Sequence, residues 1–346
     1  MRKKKICQLV IVQVFSEVRK SGAERMLYSL IQSNPDLAEN VYISAFGKEH
    51  PYAPEFTRLG AKFRSMDGNA KSLIPLIKFV KYLKTCKPDV IHIHIEQAFI
   101  LLICISRLIQ PKSRIVRTIH GDHRQSGLLK IRRGILMNLA IRIFKVKWIA
   151  CSSYIADFET KAFGKQINFV ENWATIESCD CRKVQELDNF IKENFGTRKR
   201  LLLVGNCDLN KNHKEILSNK YVQDNFLVLH IGSTHTADLD EMNLLSKPNI
   251  IPLDVESSYG YELCDTVVVP SIKEAMSIVV LEALIRGKEV LVSREWGSWW
   301  SLNFESKESE MIDGYWVLER QKNLPKLVER FSPSRGLRQY ARIYSE

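Results

Sequence analysis

Two glutamates, Glu274 and Glu282, stand eight positions apart in "SIKEAMSIVVLEAL", residues 271–284. Eight residues of α-helix rise about 12 Å and close nearly two whole turns. On one continuous helix both carboxylates would share a face, too far apart to touch and well placed to grip the two ends of one elongated ligand. A plainer reading is also open. Ser271 caps the helix, with Glu274 three residues on in the capping-box pattern, and Glu282 is a surface charge. The preceding "DTVVVPS" reads as a buried strand stopped by Pro270.

Other polar residues with chemical potential collect in loops that follow apolar runs. "KSGAER" follows the first such run, and its Gly22 opens a helix where a phosphate or sugar can approach backbone N–H groups. It is not the G-x-G-x-x-G fingerprint of a dinucleotide site. "VIHIHIE" places His92 and His94 on one face of a strand. "TIHGDH" puts His120 at another strand's carboxyl end, where an imidazole can hydrogen-bond a hydroxyl or phosphate. A metal reading would need His94, His120 and His123 to converge. "LVGNCDLNKNHKEIL" sets Gly205 and Asn206 at the start of a loop and Lys211 just before a helix. A cation there opposes the helix dipole unless an anion is present, which suggests phosphate; a plain surface lysine is the alternative.

These residues need a framework, and the chain alternates strand and helix patterns throughout. The first half reads as strands at "ICQLVIVQVF", "NVYISAFG", "DVIHIHI", "RIVRTIHG" and "KWIACSS", with helices between them. A polar, charged stretch follows. "LLLVGNC", "FLVLHIG", "NIIPL", "CDTVVVPS" and "EVLVS" then form a second alternating series. The pattern predicts an α/β protein with two Rossmann-like domains facing across a cleft. The expected divisions are 1–178, a linker at 179–200, a second domain at 201–325 and a closing helix at 326–346. Ligands of such sheets bind at the carboxyl ends of the strands, so the cleft is the expected site.

Composition fits a soluble globular chain: 45% of the 346 residues are hydrophobic and 26% charged. No apolar run reaches the length of a membrane span. The basic, apolar N-terminus reads as a first strand rather than a signal peptide. The eight cysteines are scattered, and Cys179 and Cys181 form C-D-C rather than a metal or redox spacing. That usage fits a reduced, cytoplasmic protein. The net charge of +12 is uneven: residues 1–180 carry 29 Lys and Arg against 15 Asp and Glu, and the remainder 22 against 24. Residues 123–156 hold seven basic residues and no acid, interleaved with Ile, Leu, Met, Phe and Trp. Such a surface suits an anionic membrane, or is a buried helix with a solvated basic edge. Charge alone would also allow nucleic acid, but no nucleic-acid module is visible, so no such partner is expected.

Taken together, the motifs resemble the retaining glycosyltransferases of family 4, which have the GT-B fold. "SGAER", "DVIHIH", "TIHG", "ACSSYIADFETKAFGKQINFVENWATIE", "VGNCDLNKNH", "EAMSIVVLEAL" and "FSPSRGLRQYARIY" are similar to that family's landmarks, in its order and across nearly the whole chain. The resemblance implies sugar transfer from a nucleotide-sugar, with a UDP-sugar as the expected donor, to a glycan or lipid-linked acceptor. It implies no cofactor and no metal, and a role in bacterial surface polysaccharide or lipopolysaccharide assembly. The enzyme would be cytoplasmic, or peripheral on the cytoplasmic membrane face.

Carried over residue by residue, the resemblance makes Glu274 the contact to the donor sugar and Glu282 the contact to the ribose hydroxyls. A carboxylate suits both tasks because it accepts from two neighbouring hydroxyls. Ala275, Met276 and Ser277 would offer backbone N–H groups to the diphosphate, with Leu281 in the same donor segment. Gly22, Asn206 and Lys211 complete the donor set, and His120 is the second catalytic candidate beside Glu274.

The chain departs from the family in four places. Ser21 replaces a loop glycine, Ala275 replaces the glycine after the first glutamate, and "NWAT" replaces a commoner N-G sequence. Asn206 stands near the place of an arginine that usually partners the lysine, a loss for which Arg198 or Arg200 would have to compensate. These departures leave two alternatives: an inactive relative that binds nucleotide-sugar, and a nucleotide-sugar epimerase of the same architecture.

Overall fold

A computed structural model describes residues 5–67, 73–96, 98–121, 127–234, 238–294, 296, 306–318 and 324–345. The chain divides into two compact units, one of residues 1–173 and 331–346, the other of residues 174–330.

The first unit is a seven-stranded parallel sheet flanked by helices. In chain order it holds β1 (Ile11–Phe15), α1 (Gly22–Gln32), α2 (Pro35–Ala38), β2 (Val41–Ala45), α3 (Ala53–Arg58), β3 (Lys62–Ser65) and α4 (Ile74–Cys86). These are followed by β4 (Val90–Ile93), α5 (Phe99–Ile109), β5 (Arg114–Ile119), α6 (Gly127–Arg142), β6 (Lys147–Ala150), α7 (Ser153–Phe163) and β7 (Asn168–Phe169). The strands lie in the order β3-β2-β1-β4-β5-β6-β7, so the sequence order reverses between β1 and β4. Two strands, β3 and β7, go beyond the sequence reading. Both are edge strands with exposed residues, so neither carries the apolar run that marks a central parallel strand.

The second unit holds α8 (Cys181–Phe195), β8 (Arg200–Val204), α9 (His213–Ser218), α10 (Lys220–Asn225), β9 (Leu227–Ile231), α11 (Leu239–Leu245) and β10 (Ile250–Pro252). It continues with α12 (Ser257–Leu263), β11 (Thr266–Val269), α13 (Ile278–Ile285), β12 (Glu289–Ser293), β13 (Ser306–Glu308), β14 (Tyr315–Leu318) and α14 (Leu324–Arg330). Its strand order is β10-β9-β8-β11-β12-β14-β13, reversing between β8 and β11. The last two strands are antiparallel, an extension that the alternating pattern did not signal. The stretch 179–200, read as a linker, forms α8 and groups with the second unit. After β8 the chain forms two short helices, α9 and α10, rather than one. Asn219 leaves helical geometry at ψ 117° and caps α10 by accepting from the Val222 N–H.

The final helix, α15 (Pro333–Ser345), belongs to the first unit. Its buried residues are Pro333, Gly336, Tyr340 and Tyr344, one face at helical spacing. Gly336 is glycine because Trp173 leaves no room: a Cβ there would fall 2.3 Å from the indole ring. The indole Nε1 in turn donates to the Met26 carbonyl at 3.1 Å and to Ser29 Oγ at 3.0 Å on α1. No helix among the described residues is long and apolar enough to cross a membrane.

Gly336→Val should therefore cost about 1–3 kcal/mol by overpacking against Trp173, read as a lower unfolding midpoint. A midpoint equal to that of the parent would refute this account of α15. A second expectation concerns Glu24, buried in the first turn of α1. Burial pushes its carboxyl up to about 7, against a lowering by the Ser21 hydroxyl. The folded state then keeps a proton that the unfolded chain releases above about 4.5. Stability from this group is complete at low pH and lost as pH rises from about 4.5 through 7, on the order of 3 kcal/mol in all. Glu24→Gln should flatten that slope in urea titrations run at pH 5 and pH 8.

Candidate functional site

In the second unit the site forms where the strand order reverses. β8 and β11 are parallel neighbours, so the loops at their carboxyl ends, 205–212 and 270–277, lie side by side. This is the crevice where open α/β sheets bind ligands.

The first loop is built by short-range bonds. Asp208 Oδ1 accepts from the N–H groups of Asn210 and Lys211, both at 2.9 Å, an Asx-type turn. Gly205 has φ +137°, and the Lys211 stem lies over it, 3.6 Å from where a Cβ would stand. Gly232, after β9, has φ +155°, and a Cβ there would fall 1.9 Å from the Gly205 carbonyl oxygen. Only glycine permits both the backbone angle and this approach.

Four bonds clip the first loop to the second. Asn210 Nδ2 donates to the Lys273 carbonyl at 2.9 Å, and its own carbonyl accepts from Ile272 N at 2.9 Å. Asn212 Nδ2 donates to the Pro270 carbonyl at 3.4 Å. Lys211 Nζ meets Glu274 Oε1 at 2.5 Å, with side-chain exposures of 28% and 14%. The conflict between Lys211 and the following helix thus has its answer inside the protein: the carboxylate that balances the lysine is Glu274.

The two glutamates are not on one helix. α13 begins at Ile278 with Ser277 as its N-cap, and Glu274 lies in the loop before it. Ser271 caps nothing; its hydroxyl donates to Glu274 Oε1 at 3.0 Å. Trp296 Nε1 holds the Glu274 backbone carbonyl at 3.0 Å. Glu282 is not a surface charge. It is buried in the second turn of α13 and accepts from the Tyr261 hydroxyl at 2.8 Å. Arg286 stacks over that Tyr261 ring at 4.8 Å. A buried carboxylate costs free energy unless it is partnered, and the Tyr261 hydroxyl is a partner here.

Ala275, Met276 and Ser277 lie between the two glutamates, buried, at the approach to α13. Leu281 is a correction. Its side chain is fully buried and its N–H bonds the Ser277 carbonyl, so it packs the helix and offers a ligand neither group. Asn206 is exposed, and its Oδ1 accepts from Ser233 N, which ties the turn after β9 to the loop. Arg200 does not replace the missing arginine. It starts β8, at the end opposite the loop, and bonds Asp188 and the Leu263 carbonyl. Arg198 precedes it on the same side.

The first unit carries its own cluster, at the reversal between β1 and β4. His94 Nε2 bonds Gln13 Oε1 at 2.8 Å, and His94 Nδ1 bonds His120 Nε2 at 2.7 Å. His92 bonds Tyr344 OH and Thr118 Oγ1, both at 2.7 Å. Burial holds His92 and His94 well below the usual histidine range, so both are neutral. The amide oxygen of Gln13 only accepts, so His94 carries its proton on Nε2. Its Nδ1 then accepts from His120, which places a proton on His120 Nε2. A cavity of about 20 Å³ lies among Gln13, His94, His120, Trp173 and Tyr340, room for about one water. Gly22 is exposed at the N-terminus of α1 and belongs to this unit. In the metal reading, His94 and His120 bond each other, and His123 lies outside the described residues. Sequence reasoning missed Gln13, Thr118, Tyr261, Tyr340, Tyr344 and Trp296, whose roles depend on partners distant along the chain.

Comparison with known proteins agrees with this architecture. Residues 20–173 match the family model described as Glycosyltransferase Family 4. No curated protein sequence matches the chain. Among solved structures, a glycosyltransferase from Rickettsia africae ESF-5 is similar at 13% identity, with TM-score 0.73 over 97% of this chain and 98% of that one. Anabaena HepE in complex with UDP and glucose is similar at 14% identity, with TM-score 0.73 over 98% and 100%. The apo form of the lipopolysaccharide outer core galactosyltransferase WaaB is similar at 14% identity, with TM-score 0.61 over 96% and 99%. The chain is thus similar over residues 20–173 to Glycosyltransferase Family 4, and as a whole it has the GT-B fold.

Proposed function

We propose that the chain is a retaining glycosyltransferase that moves a sugar from a UDP-sugar to an acceptor hydroxyl on a glycan or lipid-linked glycan. The observation that carries this reading is the pairing of Lys211 with Glu274 at the strand reversal, next to an α13 that bears the buried Glu282. The diphosphate would draw Lys211 away from Glu274 and lie against the backbone of residues 275–277. The released Glu274 carboxylate would then accept from sugar hydroxyls, and Glu282 from the ribose. When the bond from anomeric carbon to diphosphate breaks, negative charge grows on the leaving group and positive charge on the sugar ring. Lys211 stabilises the first. No metal is assigned to this chemistry. The first unit would bind the acceptor, and His120, held by His94, is the second catalytic candidate. The Anabaena HepE complexes with UDP and with UDP-glucose support the choice of donor.

The surface of the first unit supports a membrane-borne acceptor, and a role in surface polysaccharide or lipopolysaccharide assembly. Leu128, Ile131 and Ile135 recur at helical spacing on the outer side of α6, with Leu128 83% exposed. Arg133, Met137 and Ala140 fill the opposite, buried side. Arg133 is spent internally on Glu159, at 2.7 and 2.9 Å, whereas Arg132, Arg142, Lys145 and Lys147 are exposed. Leu108 on α5 and Ile77 on α4 are exposed as well. This is the composition of a helix lying in an anionic interface. A catalytically inactive relative is the second reading, favoured by the single cation of the phosphate loop, since Asn206 and Arg200 are engaged elsewhere.

Two measurements test these readings. Saturating UDP should raise the thermal midpoint by several degrees, since ligand at 100 times Kd adds about 2.7 kcal/mol. Glu282→Ala should abolish the shift and Tyr261→Phe reduce it, while ADP and GDP give less. No shift with any nucleotide or nucleotide-sugar would refute the donor site, and binding without turnover would favour the inactive relative. Separately, the protein should sediment with phosphatidylglycerol vesicles at low salt and stay in solution with phosphatidylcholine. Replacing Leu128, Ile131 and Ile135 by serine should remove that binding. Failure of the parent protein to sediment would sink the membrane proposal.

A further inference from the structure

The sequence reading passed over Cys207 and His213 as parts of the phosphate loop, and over His230 as part of a strand. The fold brings all three together. Cys207 follows β8, His213 opens α9 and His230 lies on β9. Their exposures are 0%, 1% and 1%. Each offers one ligand atom, and these atoms all lie within 4.8 Å of one another. Cys207 Sγ is 3.5 Å from His230 Nε2 and 3.9 Å from His213 Nδ1. The two imidazoles meet edge to face, 5.2 Å between centroids.

We infer that Cys207, His213 and His230 bind one zinc-class divalent ion, separate from the sugar-transfer chemistry. Zinc–sulfur bonds of about 2.3 Å and zinc–nitrogen bonds of about 2.0–2.1 Å at tetrahedral angles put sulfur and nitrogen about 3.5 Å apart. The observed separations match that figure within a few tenths of an ångström. One thiolate with two imidazoles suits Zn²⁺ or Co²⁺ and not Mg²⁺ or Ca²⁺. The His230 ring also donates to the backbone carbonyl of Gly205, the kind of outer hydrogen bond that orients a histidine ligand. A metal takes the Cys207 sulfur as thiolate, so binding releases the thiol proton. Three protein ligands leave the fourth corner of the tetrahedron to a water.

The position gives the site its consequence, which rests on the donor reading above. Cys207 and His213 bracket Lys211, and His230 anchors them to the neighbouring strand. A bound ion would staple both ends of the loop that presents the lysine.

The test uses the full chain without an affinity tag. Metal content is measured after purification, and the stripped protein is titrated with Zn²⁺ and with Co²⁺. The expected result is one equivalent bound per chain, with a thiolate-to-cobalt charge-transfer band. Cys207→Ser should abolish the band, and Cys264→Ser, a buried cysteine outside the cluster, should keep it. His213→Gln should weaken binding more than about 100-fold, because loss of an outer partner alone costs about 10- to 100-fold. If the parent chain binds neither ion, or if the band survives Cys207→Ser, the site is disproved. The parent measurement decides even where a variant fails to fold. Separately, UDP-induced thermal shifts compare metal-loaded and stripped protein. No UDP shift in either form, with the cobalt band present, would overturn the donor reading and leave the metal site standing.

Discussion

The Lys211–Glu274 ion pair is the constraint around which the second unit's site is organised. Both groups are largely withdrawn from water, and a charge so placed is costly unless it is matched. Their match is made across two strands, because β8 and β11 are neighbours only where the strand order reverses. Everything near the pair serves to hold its register. The Asp208 turn sets the height of Lys211, Gly205 and Gly232 let two backbones meet, and Asn210 and Asn212 fasten one loop to the other. In the proposed reaction a diphosphate would compete for the lysine on good terms, since its charge exceeds that of a single carboxylate. The displaced carboxylate would keep its Ser271 bond and gain capacity to accept from a sugar hydroxyl.

How much of this could be read from sequence follows from the range of each interaction. The parallel sheets were legible because buried strands such as β8, β9 and β11 are continuous apolar runs bounded by turn residues. The edges were not: β3, β7 and β13 are exposed and polar, with no run to detect. The spacing of Glu274 and Glu282 was legible, but the geometry drawn from it was wrong, since a capping pattern at Ser271 lost to a second start at Ser277. Ser271 and Glu274 do bond, but side chain to side chain, a use of the same two residues that the motif cannot distinguish. Lys211 was flagged by its conflict with a helix dipole, and the conflict was real. Its partner lay 63 residues away, beyond any local rule. Leu281 entered the donor set by association with its neighbours, and its complete burial removes it.

The histidines of the first unit show the same limit in another form. Alternation placed His92 and His94 on one face, yet what each does depends on groups from β1, β5 and α15. Tyr344, 252 residues from His92, closes the chain of hydrogen bonds from the far end of the sequence. That arrangement gives α15 a purpose beyond packing. Its Tyr340 and Tyr344 pack against His92, and burial is what keeps His92 and His94 neutral. Neutrality fixes the direction of every bond in the series, from Gln13 through His94 to His120. Were His94 to take up a proton, its Nδ1 would become a donor facing the donor nitrogen of His120, and the series would break. Gly336 therefore bears on this series through α15: without the close fit to Trp173, the helix could not bring Tyr340 and Tyr344 against His92.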